Sequence, residues 1–211
     1  AVNLYAAESM AYMTAGLLDR GDVDYSLESA AAKVFASEAL WEAVDENIQI
    51  WGGLGFMKEY PYERWMRDVR IFRIFEGTNE VLRAFIALSG MQGPGEELMG
   101  LSEAIKYPLK GLGLVTDFAV RKIKRSVWGT NVENTHPALK QMVGVLEQST
   151  SELADQVTMA LRKHGNKIFL RQFAQKRIAD VAIDLFALAC VISRTTRILE
   201  ERGDAKQCSL E

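Results

Sequence analysis

The sequence predicts an all-α chain, a helical bundle followed by a second, smaller helical domain. Three observations carry this. Apolar residues recur at three- and four-residue intervals along most of the chain. No stretch sustains the period-two alternation of a half-buried strand. The periodic runs are long, and they stop at glycine or proline.

Taken in order, residues 1–19 have a helical pattern that ends near Gly21. Residues 25–50 form a long alanine-rich helix, and Ala30, Ala31, Ala32 and Ala36 predict close helix–helix packing. It stops at Gly52-Gly53, where glycine releases the chain from helical geometry. Pro61 can open the next helix, because the N–H it lacks is not needed there. That helix carries Glu63, Arg64, Arg67, Asp68 and Arg70 and runs into Ile71-Phe72-Arg73-Ile74-Phe75. Residues 79–90 follow as another helix, with Thr78 or Asn79 as its cap. The glycines and Pro94 in residues 90–100 mark a linker. Beyond it, one helical pattern starts at Pro137 and reaches about His164-Gly165-Asn166, and another runs from about Lys167 to Arg202. Ile178, Val181, Ala182, Leu185, Ala189 and Ile192 are the expected core of the latter, with Cys190 an inert core residue among them.

Composition narrows the function classes. A chain of 211 residues, almost half of them apolar, can bury one substantial core or two small ones. The net charge of −3 argues against general nucleic-acid binding. Cys190 and Cys208 lack metal-site spacing, and His136 and His164 are far apart, so no metal site is expected. Two thiols fit a reducing compartment. No apolar run approaches the roughly 20 residues that span a bilayer. The opening AVNLYAAESMAYM reads as a helix already under way, as in a fragment of a longer protein.

The stretch richest in chemistry is RIFRIFEGTNE, residues 70–80. A glutamate before a glycine at a helix junction is ordinarily a solvated linker carboxylate. Here Glu76 directly follows Ile74-Phe75, which predicts apolar surroundings. Burial disfavours the charged form and would raise the carboxyl toward neutrality, as a general base requires. Gly77 lets a ligand approach the backbone. The helix that starts behind it offers unpaired N–H groups to polar or anionic ligand groups.

Three motifs in order carry a family resemblance: Gln49-Ile50-Trp51-Gly52-Gly53-Leu54-Gly55-Phe56, then Arg67-Asp68, then Ile74-Phe75-Glu76-Gly77-Thr78-Asn79-Glu80. Together they resemble the C-terminal helical domain of the acyl-CoA dehydrogenases across residues 1–90. The continuation into a second helical block resembles the very-long-chain branch of that family, which includes a complex I assembly relative. The resemblance implies domain 1–92 as the family's helical bundle, truncated at its start. It implies a linker at 93–130 with a membrane-associating segment, and a further helical domain at 131–211. It implies FAD as cofactor and long-chain fatty acyl-CoA as substrate. Glu76 would be the catalytic base that removes the α-proton, giving a trans-2-enoyl-CoA in mitochondrial β-oxidation. Phe75 and Gly77 would lie against the substrate. Thr78, Asn79 and Glu80 would contact the cofactor. Gln49, Ile50, Trp51, Gly52 and Gly53 would reach the cofactor of a neighbouring subunit in a homodimer, and electron-transferring flavoprotein would accept the electrons. The family's N-terminal helical and middle β domains are not in this sequence, so the chain by itself is expected to bind flavin poorly and to be inactive.

Between Ala104 and Trp128 six basic residues face one acid, Asp117. On a helical wheel Leu112, Val115, Ala119, Ile123 and Val127 share one face, while Lys110, Arg121, Lys124 and Arg125 share the other. With Phe118 and Lys122, this pattern fits either a membrane-surface helix or a helix docked on its own domain with a solvated basic face. The resemblance favours the membrane, at the matrix face of the mitochondrial inner membrane. It also leaves an alternative role, an assembly factor whose C-terminal helices bind a protein partner.

Overall fold

The computed structural model describes residues 1–106 and 132–202. Seven α-helices lie within them: α1 Val2–Arg20, α2 Ser26–Trp51, α3 Gly53–Phe56, α4 Tyr62–Arg70, α5 Asn79–Lys106, α6 Lys140–His164 and α7 Gln172–Arg202. Three short 3-10 turns join them, at Ile71–Arg73, Pro137–Leu139 and Gly165–Leu170. There is no strand among the described residues, so the all-α expectation holds. The residues expected to meet a membrane, Lys110, Leu112, Val115, Phe118, Arg121, Lys122, Ile123, Lys124 and Arg125, lie outside the described residues. No described helix is long and apolar enough to cross a membrane.

The chain divides into two compact units. The first comprises Ala1–Ile86 and Ala182–Val191, the second Ala87–Val181 and Ile192–Glu211. In the first, α1 packs along α2, and α2 also contacts α3, α4 and the 3-10 turn that follows α4. Small residues allow the close approach, with Ala6 buried on α1 and Ala30 and Ala31 on α2; the larger Met10 and Val34 are buried on the same two helices. Ala36, expected in the same seam, is exposed. The helix ends fall where glycine and proline predict them. Gly21 closes α1 in the left-handed conformation. Gly52 ends α2 at φ 56°, ψ −134°, a backbone state open to glycine and scarcely to other residues. Pro61 caps α4.

One expectation fails in an instructive way. The stretch 90–100 is helical, because α5 continues through Gly90, Gly93, Pro94 and Gly95. Pro94 removes one helical hydrogen bond, a cost of about 3 kcal/mol in an isolated helix. Packing outweighs that local signal, since Ala87 and Met91 on the same helix are buried. The change of compact unit falls within α5, at Ile86/Ala87, and the segment Ala182–Val191 counts with the first unit.

In the second unit, α6 contacts both flanking 3-10 turns. His136 Nδ1 accepts from the Ala138 amide and starts the first of them. Gln175 is buried and donates to the Ile168 carbonyl at 2.7 Å, tying α7 to the other. The buried positions on α7 include Ala179, Ile183, Ala187, Cys190, Ile192 and Leu199, while Val181 is 42% exposed. Of the expected core positions Ile192 is buried, while Ile178, Ala182, Leu185 and Ala189 are half-buried beside the observed stripe, a small rotation that periodicity alone cannot register. Cys190 is buried as expected, and burial pushes its thiol up to about 12, which keeps it unreactive.

Candidate active site

The turn between α4 and α5 is built in four steps. After α4, the 3-10 turn Ile71–Arg73 tightens the chain, and the amides of Ile74 and Phe75 both donate to the Ile71 carbonyl. Phe72 and Phe75 pair, with ring centroids 5.4 Å apart. Then come two successive residues with positive φ, Glu76 at 53° and Gly77 at 89°. Finally the Thr78 hydroxyl accepts from the Val81 amide at 3.2 Å, which makes Thr78 the cap of α5.

Glu76 is thus a non-glycine residue in the left-handed region, a conformation that costs on the order of 1 kcal/mol and persists only where surroundings enforce it. Gly77 has two internal reasons to be glycine. Its φ suits no other residue well, and a Cβ there would stand 3.1 Å from Leu82 Cδ2.

The enforcement comes from α2. Asn79 is fully buried, at 0% exposure. Its amide nitrogen donates to Ser37 Oγ at 2.9 Å and to Glu38 Oε1 at 3.2 Å. Its amide oxygen accepts from Lys33 Nζ at 2.8 Å. Lys33 Nζ also donates to the Gly77 carbonyl at 2.8 Å. Arg83 grips Glu38 through two parallel bonds of 2.7 Å, the fork-to-carboxylate geometry that gives strong pairing. Burial alone would raise the Glu38 carboxyl. The hydrogen bonds and charge of Arg83, then the Asn79 amide and the charge of Arg73, reverse this and hold it below its ordinary value. Burial draws Lys33 below its ordinary value, while the charges of Glu80, Glu38 and Glu76 oppose the shift.

Several expectations change here. Glu76 is exposed, as are Ile74 and Phe75 before it, so the described residues do not form the apolar enclosure expected around the carboxyl. An apolar run in sequence does not become an apolar wall unless something packs over it. Asn79 turns its side chain inward, so its amide is committed to α2 and only its backbone can face a cofactor. Phe75, Gly77 and Glu80 are exposed beside Glu76, and Thr78 is half-buried.

The second expected segment is not brought to this turn. From Lys33 to Gln49 helix α2 rises about 24 Å. Gln49, Ile50, Trp51, Gly52 and Gly53 are all exposed at its far end. Trp51 stacks obliquely on Tyr60 and Tyr62, with centroids 5.0 and 5.1 Å away, and Tyr62 meets Trp65 edge-on. That leaves Gln49, Ile50 and the glycine backbone as the free part of the segment. The residues the sequence reading missed are Lys33, Ser37, Glu38 and Arg83. A signal existed: Ser37 interrupts the apolar stripe of α2 one turn after Val34, and a polar residue in such a stripe asks for a buried partner. The second unit holds a cavity of about 920 Å³, lined by Leu88, Met91, Leu161, Ile168 and Phe169 among others, and none of the side chains of this site is in its lining. Among the described residues no His, Cys, Asp and Glu group could hold a metal.

Residues 1–91 match the family described as acyl-CoA dehydrogenase, C-terminal domain, and residues 137–209 match the ACAD9/ACADV C-terminal domain. The chain is 44% identical over 205 residues to the mitochondrial very long-chain specific acyl-CoA dehydrogenase of Rattus norvegicus, covering 95% of this chain and 31% of that protein. The Homo sapiens counterpart is 44% identical over 201 residues, covering 93% and 31%. A probable acyl-CoA dehydrogenase of Bacillus subtilis is 30% identical over 224 residues, covering 98% and 35%. The chain spans about a third of the length of these curated relatives. Among solved structures, an acyl-CoA dehydrogenase complexed with FAD from Bacillus anthracis superposes with a TM-score of 0.73 at 28% identity, over 98% of this chain and 36% of that one.

The Glu38 clamp makes a pH prediction. Its folded carboxyl lies below the unfolded value of 4.5, so its contribution to stability is complete above that value and is lost as pH falls through the lower folded one. Glu38→Gln should therefore flatten the acid limb of stability. Urea unfolding from about pH 5 to about pH 3 reads this; parallel curves for variant and wild type would contradict the clamp.

Proposed function

This chain belongs to the acyl-CoA dehydrogenase family, and we propose that it carries the proton-abstracting part of a flavin-dependent very-long-chain acyl-CoA dehydrogenase. The observation that supports this most is Glu76 itself, a carboxylate held in a strained left-handed turn by partners from another helix. Strain of this kind collects at functional sites.

In this reading Glu76 removes the α-proton of a long-chain acyl thioester. Its side chain is exposed and open to a ligand, and a bound thioester and cofactor would exclude water from it. Bound FAD supplies the acceptor that takes the β-hydrogen with its electron pair, so the product is a trans-2-enoyl-CoA. Phe75 and Gly77 face the substrate beside the base. The amides at the start of α5, near Thr78 and Glu80, suit a polar or anionic part of the cofactor. Gly52 and Gly53 have open space where a side chain would stand, and Gln49 and Ile50 are exposed, so this end of α2 fits close approach by a flat group. Its separation from Glu76 fits service to the cofactor of a second subunit in a homodimer.

The same proposal places the full-length protein in mitochondrial fatty acid β-oxidation, with electron-transferring flavoprotein as acceptor. It includes two helical domains, 1–92 and 131–211, joined by a segment that meets the inner membrane from the matrix side.

Two measurements check it. In the full-length protein carrying this chain, Glu76→Gln should lower palmitoyl-CoA oxidation with an artificial acceptor by at least about 10³-fold while FAD content is kept. A flavin-loaded wild type without acyl-CoA oxidation would remove the enzymatic reading. Replacement of Lys122, Lys124 and Arg125 by Glu should reduce cosedimentation with cardiolipin vesicles, since each basic residue near an anionic surface contributes about 1 kcal/mol. Unchanged cosedimentation would reject the segment as the anchor.

A further inference from the structure

Lys33 stands on α2, more than forty residues before Glu76 in sequence, yet its ammonium lies against the turn that bears the carboxylate. An ammonium has three donors. Two are directed at acceptors on either side of Thr78: the Gly77 carbonyl at 2.8 Å and the Asn79 amide oxygen at 2.8 Å. We infer that Lys33 is a positioning residue for Glu76, a donor that fixes the peptide leaving the Glu76–Gly77 pair and thereby aims the carboxylate. This rests on the reading of Glu76 as the base.

The argument turns on which bonds survive without Lys33. Asn79 keeps its links to Ser37 and Glu38, and Glu38 keeps Arg83, so the junction of α2 and α5 remains. The bond to the Gly77 carbonyl is lost. Glycine is the residue with the widest backbone freedom, and the peptide after it is then free to rotate. Glu76, at φ 53°, lies immediately before it and is released from a conformation it would not choose. The start of α5 and the core of the first unit stay in place. A change at Lys33 therefore reaches the carboxylate's direction before it reaches the fold. The charges of Glu76, Glu80 and Glu38 all act on this ammonium, which places it electrostatically as well as geometrically at the turn.

The test uses the full-length flavoprotein with Lys33→Met, Lys33→Arg and Glu76→Gln. Acyl-CoA turnover is read as kcat and KM, and amide hydrogen exchange of the peptide spanning residues 74–82 is read without substrate. Lys33→Met should lower kcat about 10- to 100-fold, the scale of a small misplacement of a reacting group, with KM changed less than kcat. Exchange should quicken at the turn and stay as in the wild type in α1 and the middle of α2. Lys33→Arg, which can donate to both acceptors, should recover most of kcat and of the turn's protection. Wild-type kcat and turn exchange in Lys33→Met would overturn the inference. So would exchange that rises equally through the whole unit, which is the mark of a residue that only stabilises the fold. If Lys33→Met does not fold, a Lys33→Arg variant with wild-type Tm but unprotected turn amides overturns it equally. Full turnover in Glu76→Gln would instead remove the reading of Glu76, and the exchange data would still report on the turn.

Discussion

A single buried amide, that of Asn79, joins two helices whose contacting residues are separated by more than forty positions. A primary amide has two donors and an acceptor with two lone pairs, and leaving them unpaired in the interior costs about 1–3 kcal/mol. Here the nitrogen uses both donors, on Ser37 and Glu38, and the oxygen receives Lys33. Ser37 has one proton and sends it to the Val34 carbonyl at 3.1 Å, with the Asn79 oxygen a weaker second acceptor at 3.3 Å. The geometry is self-consistent: Ser37 accepts from Asn79 and donates within α2. Arg83 completes the set by neutralising Glu38 at the edge of the network. A satisfied network of this kind specifies one register between two helices, because a shift by one residue strands every member.

That register is what allows the strain next to it. Glu76 and Gly77 turn the chain through two positive φ values between the 3-10 turn and α5. Neither end of this turn can relax. The Ile71 carbonyl holds Phe75 on one side, and Asn79 and the Thr78 cap hold α5 on the other. The backbone that bears the exposed carboxylate is thus held in one conformation from both sides. That fixity would serve the proposed role, since a base acts on an α-proton only from a defined place.

Local signals in the sequence located most of this fold and little of its cause. Glycine and proline stops marked α1, α2 and α4 closely, since those ends depend on backbone chemistry at the stop itself. The motif around Glu76 and Gly77 marked the turn for the same reason. The continuation of α5 through Pro94 was hidden, because the burial of Ala87 and Met91 overrides a breaker that propensity counts at full weight. The inward turn of Asn79 was hidden too. A capping position and a buried network position look alike until the facing helix is known. Lys33, Ser37 and Glu38 read as ordinary polar residues of an alanine-rich helix, and only their partners from residues 77–83 give them a role. The exposure of Glu76 has a similar origin. Sequence neighbours predict apolar company, but enclosure depends on what packs over them.

The central claim is that the partners from α2, the Asn79 network together with the Lys33 bond to the Gly77 carbonyl, impose the conformation of Glu76, so that loss of either releases it. The most direct measurement is a crystal structure of the Asn79→Ala variant, read at the φ of residue 76. The account predicts that Glu76 leaves the left-handed region for negative φ and that its carboxylate moves away from its present direction, while α1 and α2 stay as they are. A variant that keeps Glu76 near its present φ of 53°, with the turn unchanged, would contradict it.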